Sequence, residues 1–306
     1  MSASVLRGRL LILLAAVLWS TSGLFAKAET FTDLPPDVRG PILAFWRALF
    51  AGLLLAPLVR RPRFRVALVP MTLCFAVMNV VFLSAMTYTT AANTIWLQHT
   101  APLWVLLIGV TLLGERLVRQ HMLLLGFGAA GVATILVCEF FWGRQAAVVP
   151  GRSGVGVALA LASGLTYAGV VTFLRVLRSE DSAWLVVLNL LVTAAVILPY
   201  VIYLAASKGI HLSWMQIAVL AGFGLFQMGL PYVIFARGLR SVGSQEASGI
   251  VLTEPVLTPI WVLVAWGEHP SWWTYIGAAL ILTGLAIRYL WPAGATRDDE
   301  PVPELD

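Results

Sequence analysis

The chain has 306 residues, of which 59% are hydrophobic and only 11% charged, with a formal net charge of +5. A soluble domain carries about 25% charged residues, so no soluble core accommodates this much apolar side chain, and lipid must cover much of it. The positive charge does not mark a nucleic-acid binder, because the basic residues sit at the ends of apolar runs and form no patch interleaved with stacking aromatics.

A membrane-spanning helix needs roughly 20 mostly apolar residues. That window predicts ten spans, at 7–28, 41–59, 66–86, 91–113, 120–139, 154–177, 183–205, 214–236, 245–266 and 272–291. The first run follows Arg7 and Arg9 but lacks a small-x-small cleavage site, so it reads as a span rather than a signal peptide. It carries Trp19, the second span carries Arg47 and the third Asn79. The fourth holds Thr94, Gln98, His99 and Thr100 just before Pro102, then Trp104, and closes on Gly114-Glu115. In the fifth, Gly126-Phe127-Gly128 with Gly131 approaches a dinucleotide fingerprint, but inside an apolar helix small residues read as close helix contacts. Tyr167 lies on the sixth span, Asn189 on the seventh, and Gln227 and Tyr232 on the eighth. The ninth carries Gln245, Ser248, Thr253 and Glu254 just before Pro255 and closes on Gly267-Glu268. Charge and turn signals fall between spans, as at Asp33-Leu34-Pro35-Pro36-Asp37 and Arg60-Arg61-Pro62-Arg63. The segment 292–306 is polar and acidic and reads as a disordered tail.

The chain contains one pattern twice. Thr100-Ala101-Pro102 with Gly114-Glu115 reappears 153 residues on as Thr253-Glu254-Pro255 with Gly267-Glu268, and the same offset carries Gly131-Val132-Ala133 onto Gly284-Leu285-Ala286. Two five-helix units follow, at 7–141 and 153–291, with a linker near 142–153. With the N-terminus cytoplasmic, fourteen of the 20 Lys and Arg residues face inward and five (Lys27, Arg39, Arg144, Arg152 and Lys208) face outward, Arg47 lying within a span. Basic residues favour the inner side, so both termini are expected there. Five is an odd number, so the second unit enters the membrane from the opposite face. The expected fold is therefore an all-α membrane protein of ten helices, in two inverted repeats around a central cavity.

Pro102 and Pro255 each remove a helix hydrogen bond, and the freed carbonyls need a partner at membrane depth. Matching breaks in two repeats point to a central site, although proline can also serve packing alone. On a continuous helix Thr94, Gln98 and Ala101 share a face, as do Gln245, Ser248 and Leu252. Such a face either binds a zwitterion or hydrogen-bonds across helices. His99 either takes up a proton and couples transport to it, or is simply hydrogen-bonded. Arg47 sits roughly 9 Å from the outer end of its span and Glu254 roughly 15 Å from the inner end of its own. They are expected to pair with one another, or one of them to meet the substrate. Glu115 and Glu268 read as ties from helix ends to neighbouring loops. Trp142, Trp214, Trp272, Trp273 and Trp291, at span ends, read as interfacial anchors. The deeper Trp19, Trp96, Trp104, Tyr167, Tyr232 and Trp261 either line an apolar cavity or pack against helices and lipid. Trp19 and Tyr167, 148 residues apart, occupy matching places on the first and sixth spans. Cys74 and Cys138 have no metal-ligand spacing and read as small hydrophobes. No catalytic, metal or cofactor motif is legible, and no Walker loop supplies ATP hydrolysis.

This pattern, with Gly8-Arg9-Leu10 and Ala16-Val17-Leu18-Trp19-Ser20-Thr21 opening the first span and Thr-x-Pro…Gly-Glu in the fourth and ninth, resembles the drug/metabolite transporter superfamily. Both halves are similar to EamA-type domains over 7–291, and the opening run and the segment 88–115 resemble the aromatic amino-acid exporters within that superfamily. The resemblance implies a secondary-active exporter of the bacterial inner membrane, working by alternating access. Its cargo would be aromatic or hydrophobic amino acids; the alternative is an efflux carrier for lipophilic cations or other small metabolites. Small four-helix multidrug relatives use a first-helix glutamate for proton exchange, whereas this first span has no acid between Arg9 and Glu29. The shortage of paired cavity cations argues against phosphorylated cargo. The substrate-binding set expected from the residues is Trp19, Asn79, Thr94, Gln98, His99, Trp104, Tyr167, Asn189, Gln227, Tyr232, Gln245 and Ser248, with the breaks at Pro102 and Pro255 and the charges Arg47 and Glu254. The expected partners are the substrate and the lipid bilayer, and a monomer is compatible with this reading.

Overall fold

The chain is described by a computed structural model covering residues 3–112, 114, 119–142 and 152–290. Every regular element among the described residues is helical. Nine helical segments there are long and apolar enough to cross a membrane: Ser4–Ala26, Pro36–Leu58, Leu68–Tyr88, Ala91–Thr111, His121–Trp142, Ser153–Val176, Ser182–Lys208, Trp214–Gly238 and Glu246–Trp266. A shorter apolar helix, Trp272–Arg288, follows them. These correspond to the ten sequence windows, and they are numbered below in chain order as the first to ninth spans and the last helix. Residues 143–151 of the linker, Glu115, Trp291 and the tail 292–306 lie outside the described residues.

The breaks in the fourth and ninth spans are real, but they fall before the prolines rather than at them. The fourth span is two helices, Ala91–Gln98 and Ala101–Leu112, and the ninth is Ser244–Val251 and Thr253–Trp266. Pro102 and Pro255 thus stand in the first turn of a new helix, where no N–H is needed and the fixed φ fits. Two interruptions were not expected. The first span breaks at Thr21 between Ala3–Ser20 and Ser22–Ala26, and the eighth passes through a π-helical stretch, Phe223–Gly229, ahead of Pro231. Wide turns of this kind concentrate where backbone is adapted to a site.

The repeated Gly-Glu motif has a backbone cause. Gly114 and Gly267 both adopt left-handed φ, +67° and +64°. Gly267 terminates its helix, its N–H donating to the Leu263 carbonyl. Glycine adopts that conformation without the Cβ penalty that other residues meet.

The helices pack in a self-consistent pattern. The first span packs on the eighth and the third on the sixth; the first also packs on the ninth and the fourth on the sixth. The second packs on the seventh and eighth, and the third on the seventh. Advancing every span by five maps this set onto itself. The fifth span and the last helix show the same relation at atomic scale. A Cβ on Gly131 would lie 2.6 Å from the Gly277 carbonyl oxygen, and one on Gly284 would lie 3.3 Å from the Leu124 carbonyl oxygen. Those two contacts are related by the 153-residue offset, and hydrogen in place of a side chain is what lets the backbones approach. Gly128 meets Leu103 of the fourth span, whereas Gly126 has no neighbour within 4 Å, so only part of the glycine run serves packing.

Candidate functional site

The break at Thr21, close to the end of the first span, leaves carbonyls there to satisfy. Gln227, in the π-helical stretch of the eighth span, donates its Nε2 to the Trp19 carbonyl at 3.1 Å. Its Oε1 accepts from Arg47 Nη1 at 3.3 Å, and Arg47 Nη2 also donates to Asn79 Oδ1. Asn79 is oriented by its own Nδ2, which donates to the Phe75 carbonyl at 3.1 Å. The guanidinium carbon lies 5.0 Å from the centre of the Phe223 ring, a cation–π arrangement. Arg47 is only 3% exposed. Its Nε has no hydrogen-bond partner, and neither does Oδ1 of buried Asn189 on the seventh span.

Beside this polar group stands an aromatic wall. The Trp19 ring meets Tyr232 edge-on at 5.3 Å and Phe235 at 5.2 Å. Tyr232 lies within electrostatic reach of both Arg47 and Glu254. Ser20, next to the break, accepts a 2.8 Å bond from Trp261 Nε1. Trp19, Arg47, Asn79, Gln227 and Tyr232 are thus brought together by the first, second, third and eighth spans, with Glu254 of the ninth within electrostatic reach.

Other expected residues take different places. Arg47 and Glu254 do not pair: the ion pairs among the described residues are Arg9–Glu246, Lys27–Glu268 and Arg65–Glu180. The neutral amides of Asn79 and Gln227 reach the guanidinium instead. The shared helix face of Thr94, Gln98 and Ala101 does not form, because the helix ends at Gln98. Thr94 donates its hydroxyl to the Thr90 carbonyl, and His99 Nδ1 lies 2.9 Å from the Ile95 carbonyl. Trp104 donates to the Thr100 hydroxyl at 3.2 Å. Tyr167 is 40% exposed, unlike half-buried Trp19, so the offset of 148 does not give the two equal surroundings. Ser248 is half-buried, and the Gln245 side chain lies outside the described residues. Trp142, Trp214 and Trp272 are exposed at their span ends, but Trp273 is buried and is not an interfacial anchor. It donates to Glu139 Oε2 at 3.2 Å. Two clefts stand apart from the Trp19–Tyr232 wall. One of about 380 Å³ is lined by Arg60, Arg61, Arg63, Ser179, Glu180 and Asp181. The other, about 220 Å³ and apolar, lies among Trp96, Val256, Pro259 and Tyr275.

Sequence reasoning missed Glu139, a carboxylate only 6% exposed that also accepts from Asn93 Nδ2 at 3.3 Å. Its signal in sequence was the apolar Phe140-Phe141-Trp142 that follows it; the fifth helix runs on to Trp142, so Glu139 is an acid inside a span rather than at its end. The ionic ties of the first span were missed as well. Arg9 pairs with Glu246 near one end, and Lys27 with Glu268 at 2.5 Å near the other. Glu268 also accepts from the Ala91 N–H at 2.7 Å, as a tie between a helix end and a loop should.

Comparison with known proteins accords with this architecture. A protein of Archaeoglobus fulgidus described as an "Uncharacterized transporter" is 27% identical over 289 residues, covering 92% of this chain and 96% of that protein. A solved crystal structure at 19% identity covers 92% of this chain and 97% of its own, with a TM-score of 0.61, which shows a shared fold. The model of the EamA-like transporter family matches twice, at residues 6–137 and 154–290. The chain, a multi-pass membrane protein, belongs to the EamA-like transporter family.

Proposed function

We propose that this transporter is a secondary-active exporter of aromatic or hydrophobic amino acids, working by alternating access between two inverted five-helix halves. The observation that carries the reading is the Trp19–Tyr232–Phe235 wall set against the buried Arg47–Asn79–Gln227 group, at the interrupted first and eighth spans. An aromatic wall gives an apolar side chain somewhere to go, and the polar group addresses its charged end. The five-span shift in the helix packing and the paired glycine contacts support two equivalent halves. The odd number of helices per half and the distribution of Lys and Arg support their inversion and cytoplasmic termini, in a bacterial inner membrane. Ion pairs at both ends of the first span supply contacts that an alternating mechanism can break in turn.

Counterflow of labelled phenylalanine in proteoliposomes tests this. Saturable counterflow supports a carrier, since a pore shows none, and competition by tryptophan, tyrosine and leucine but not by cationic dyes supports the cargo. A second reading has one observation in its favour: Glu254, within electrostatic reach of Tyr232, has no ion-pair partner among the described residues and suits a lipophilic cation. Dyes that compete where amino acids do not would establish that reading instead.

A further inference from the structure

We propose that Arg47 and Glu254 read the two ends of a zwitterion, Arg47 gripping its carboxylate and Glu254 its ammonium, beside the Trp19–Tyr232–Phe235 wall. The inference rests on the amino-acid reading above and adds the residues and charges that select the cargo.

The ionic groups of the described spans fall into two kinds. Arg9, Lys27, Glu246 and Glu268 neutralise one another near span ends. Glu139 is held by Asn93 and Trp273. Arg47 and Glu254 are different, for each lies within a span and neither belongs to an ion pair among the described residues. A buried guanidinium with only neutral amides for company remains an uncompensated charge, which is expensive at membrane depth. An anion supplied from outside removes that cost.

The geometry says which anion. Guanidinium carries five N–H donors in a planar fork that matches a carboxylate two-to-two. Asn79 and Gln227 take one Nη donor each and hold the fork in orientation, while Phe223 covers one face. Nε, one arm of the carboxylate-gripping edge, is buried and unmatched. Glu254 stands in the first turn of the helix Thr253–Trp266, whose amino-terminal dipole favours a carboxylate there. A cation is what that carboxylate lacks. Tyr232 lies within electrostatic reach of both groups, and the two form no ion pair with each other. A ligand with ammonium and carboxylate on a single carbon would answer both charges, with its side chain on the Trp19–Tyr232–Phe235 wall. Arg47 is enclosed, and the first span is tied to the ninth near both ends.

The test is competition against labelled phenylalanine counterflow by the full chain in proteoliposomes. Phenylalaninamide lacks the carboxylate and 3-phenylpropanoate lacks the ammonium. In wild type each is expected to compete roughly ten- to a hundredfold more weakly than phenylalanine, the worth of a hydrogen bond to a charged group. Arg47→Gln should erase the preference over the amide and leave the preference over the propanoate; Glu254→Gln should do the reverse. If Arg47→Gln does not assemble, Arg47→Lys keeps the charge without the fork, and the wild-type series needs no variant. Equal competition by all three compounds in wild type, or preferences unchanged or exchanged in the variants, overturns the assignment while the exporter reading stands. Absence of any phenylalanine counterflow overturns both.

Discussion

Lys27, at the end of the first span, lies 2.5 Å from Glu268, just past the end of the ninth, and also donates to the Thr89 carbonyl at 2.8 Å. The same two spans are joined near their other ends by Arg9 and Glu246. The two ties differ in setting. The Lys27 and Glu268 side chains are 10% and 16% exposed, against 37% and 40% for Arg9 and Glu246. Sheltered pairs are screened less by salt and water, so the Lys27–Glu268 tie is the stronger of the two.

A double-mutant cycle with Lys27→Met and Glu268→Gln should therefore give a coupling of about 2 kcal/mol, between the values for exposed and for fully buried pairs. The same cycle on Arg9→Met and Glu246→Gln should give less than about 1 kcal/mol. Denaturant unfolding in detergent measures both. Equal couplings would remove the distinction.

Tyr232 contributes its ring to the aromatic wall, edge-on to Trp19. Tyr232→Phe should keep the preference for phenylalanine over valine in counterflow. Tyr232→Ala should cut that preference by roughly two- to tenfold, corresponding to the ~0.5–1.5 kcal/mol of an aromatic pair. The ratio of apparent KM values for the two amino acids reads the effect.

The glycines of the fifth span should separate sharply. Gly131→Ala places a Cβ 2.6 Å from the Gly277 carbonyl oxygen, which is backbone and must shift. A cost of about 1–3 kcal/mol follows from overpacking. At Gly126, with nothing within 4 Å, alanine should be neutral or stabilising by up to about 1 kcal/mol through helix propensity. Melting temperatures of the two variants in detergent check the contrast.

Asp181 caps the seventh span and ties it to the loop after the second. Burial alone would raise its carboxyl, but the backbone N–H groups of Arg60, Arg61, Ala183 and Trp184 outweigh that and hold it below the ordinary 3.8. Asp181→Ala should cost about 1 kcal/mol at neutral pH, the usual loss on removing a cap. A carboxyl depressed in the folded state contributes in full above its unfolded value and loses that contribution as pH falls through the folded one. The gap in stability between wild type and variant should hold from neutral pH down to about 4 and close below 3.8. Unfolding curves across that range measure it.

Much of this was legible in the sequence for local reasons. Each span is an apolar run of sufficient length, and each Thr-x-Pro marks an interruption, although the helix restarts before the proline instead of breaking at it. The repeated Gly-Glu gains its meaning from the left-handed φ of Gly114 and Gly267, a backbone need that shows in sequence as glycine. The expected Arg47–Glu254 pair went the other way. Spacing along two helices gives their depth but not the direction each side chain takes around its axis, and Arg47 turns to Asn79 and Gln227. Trp273 was misread for the same reason: a tryptophan at a span end suits the interface, yet this one turns inward to Glu139.

The sequence by itself determined that the chain lives in a membrane, that one pattern occurs in it twice, and that its fourth and ninth helices are interrupted. Only the tertiary structure decided which side chains meet: Trp19 with Tyr232, Lys27 with Glu268, Glu139 with Asn93. In a soluble helix the polar stripe reveals the outer face. Here lipid and protein interior are equally apolar, so the pattern of residues leaves the rotation of each helix open and packing alone settles it.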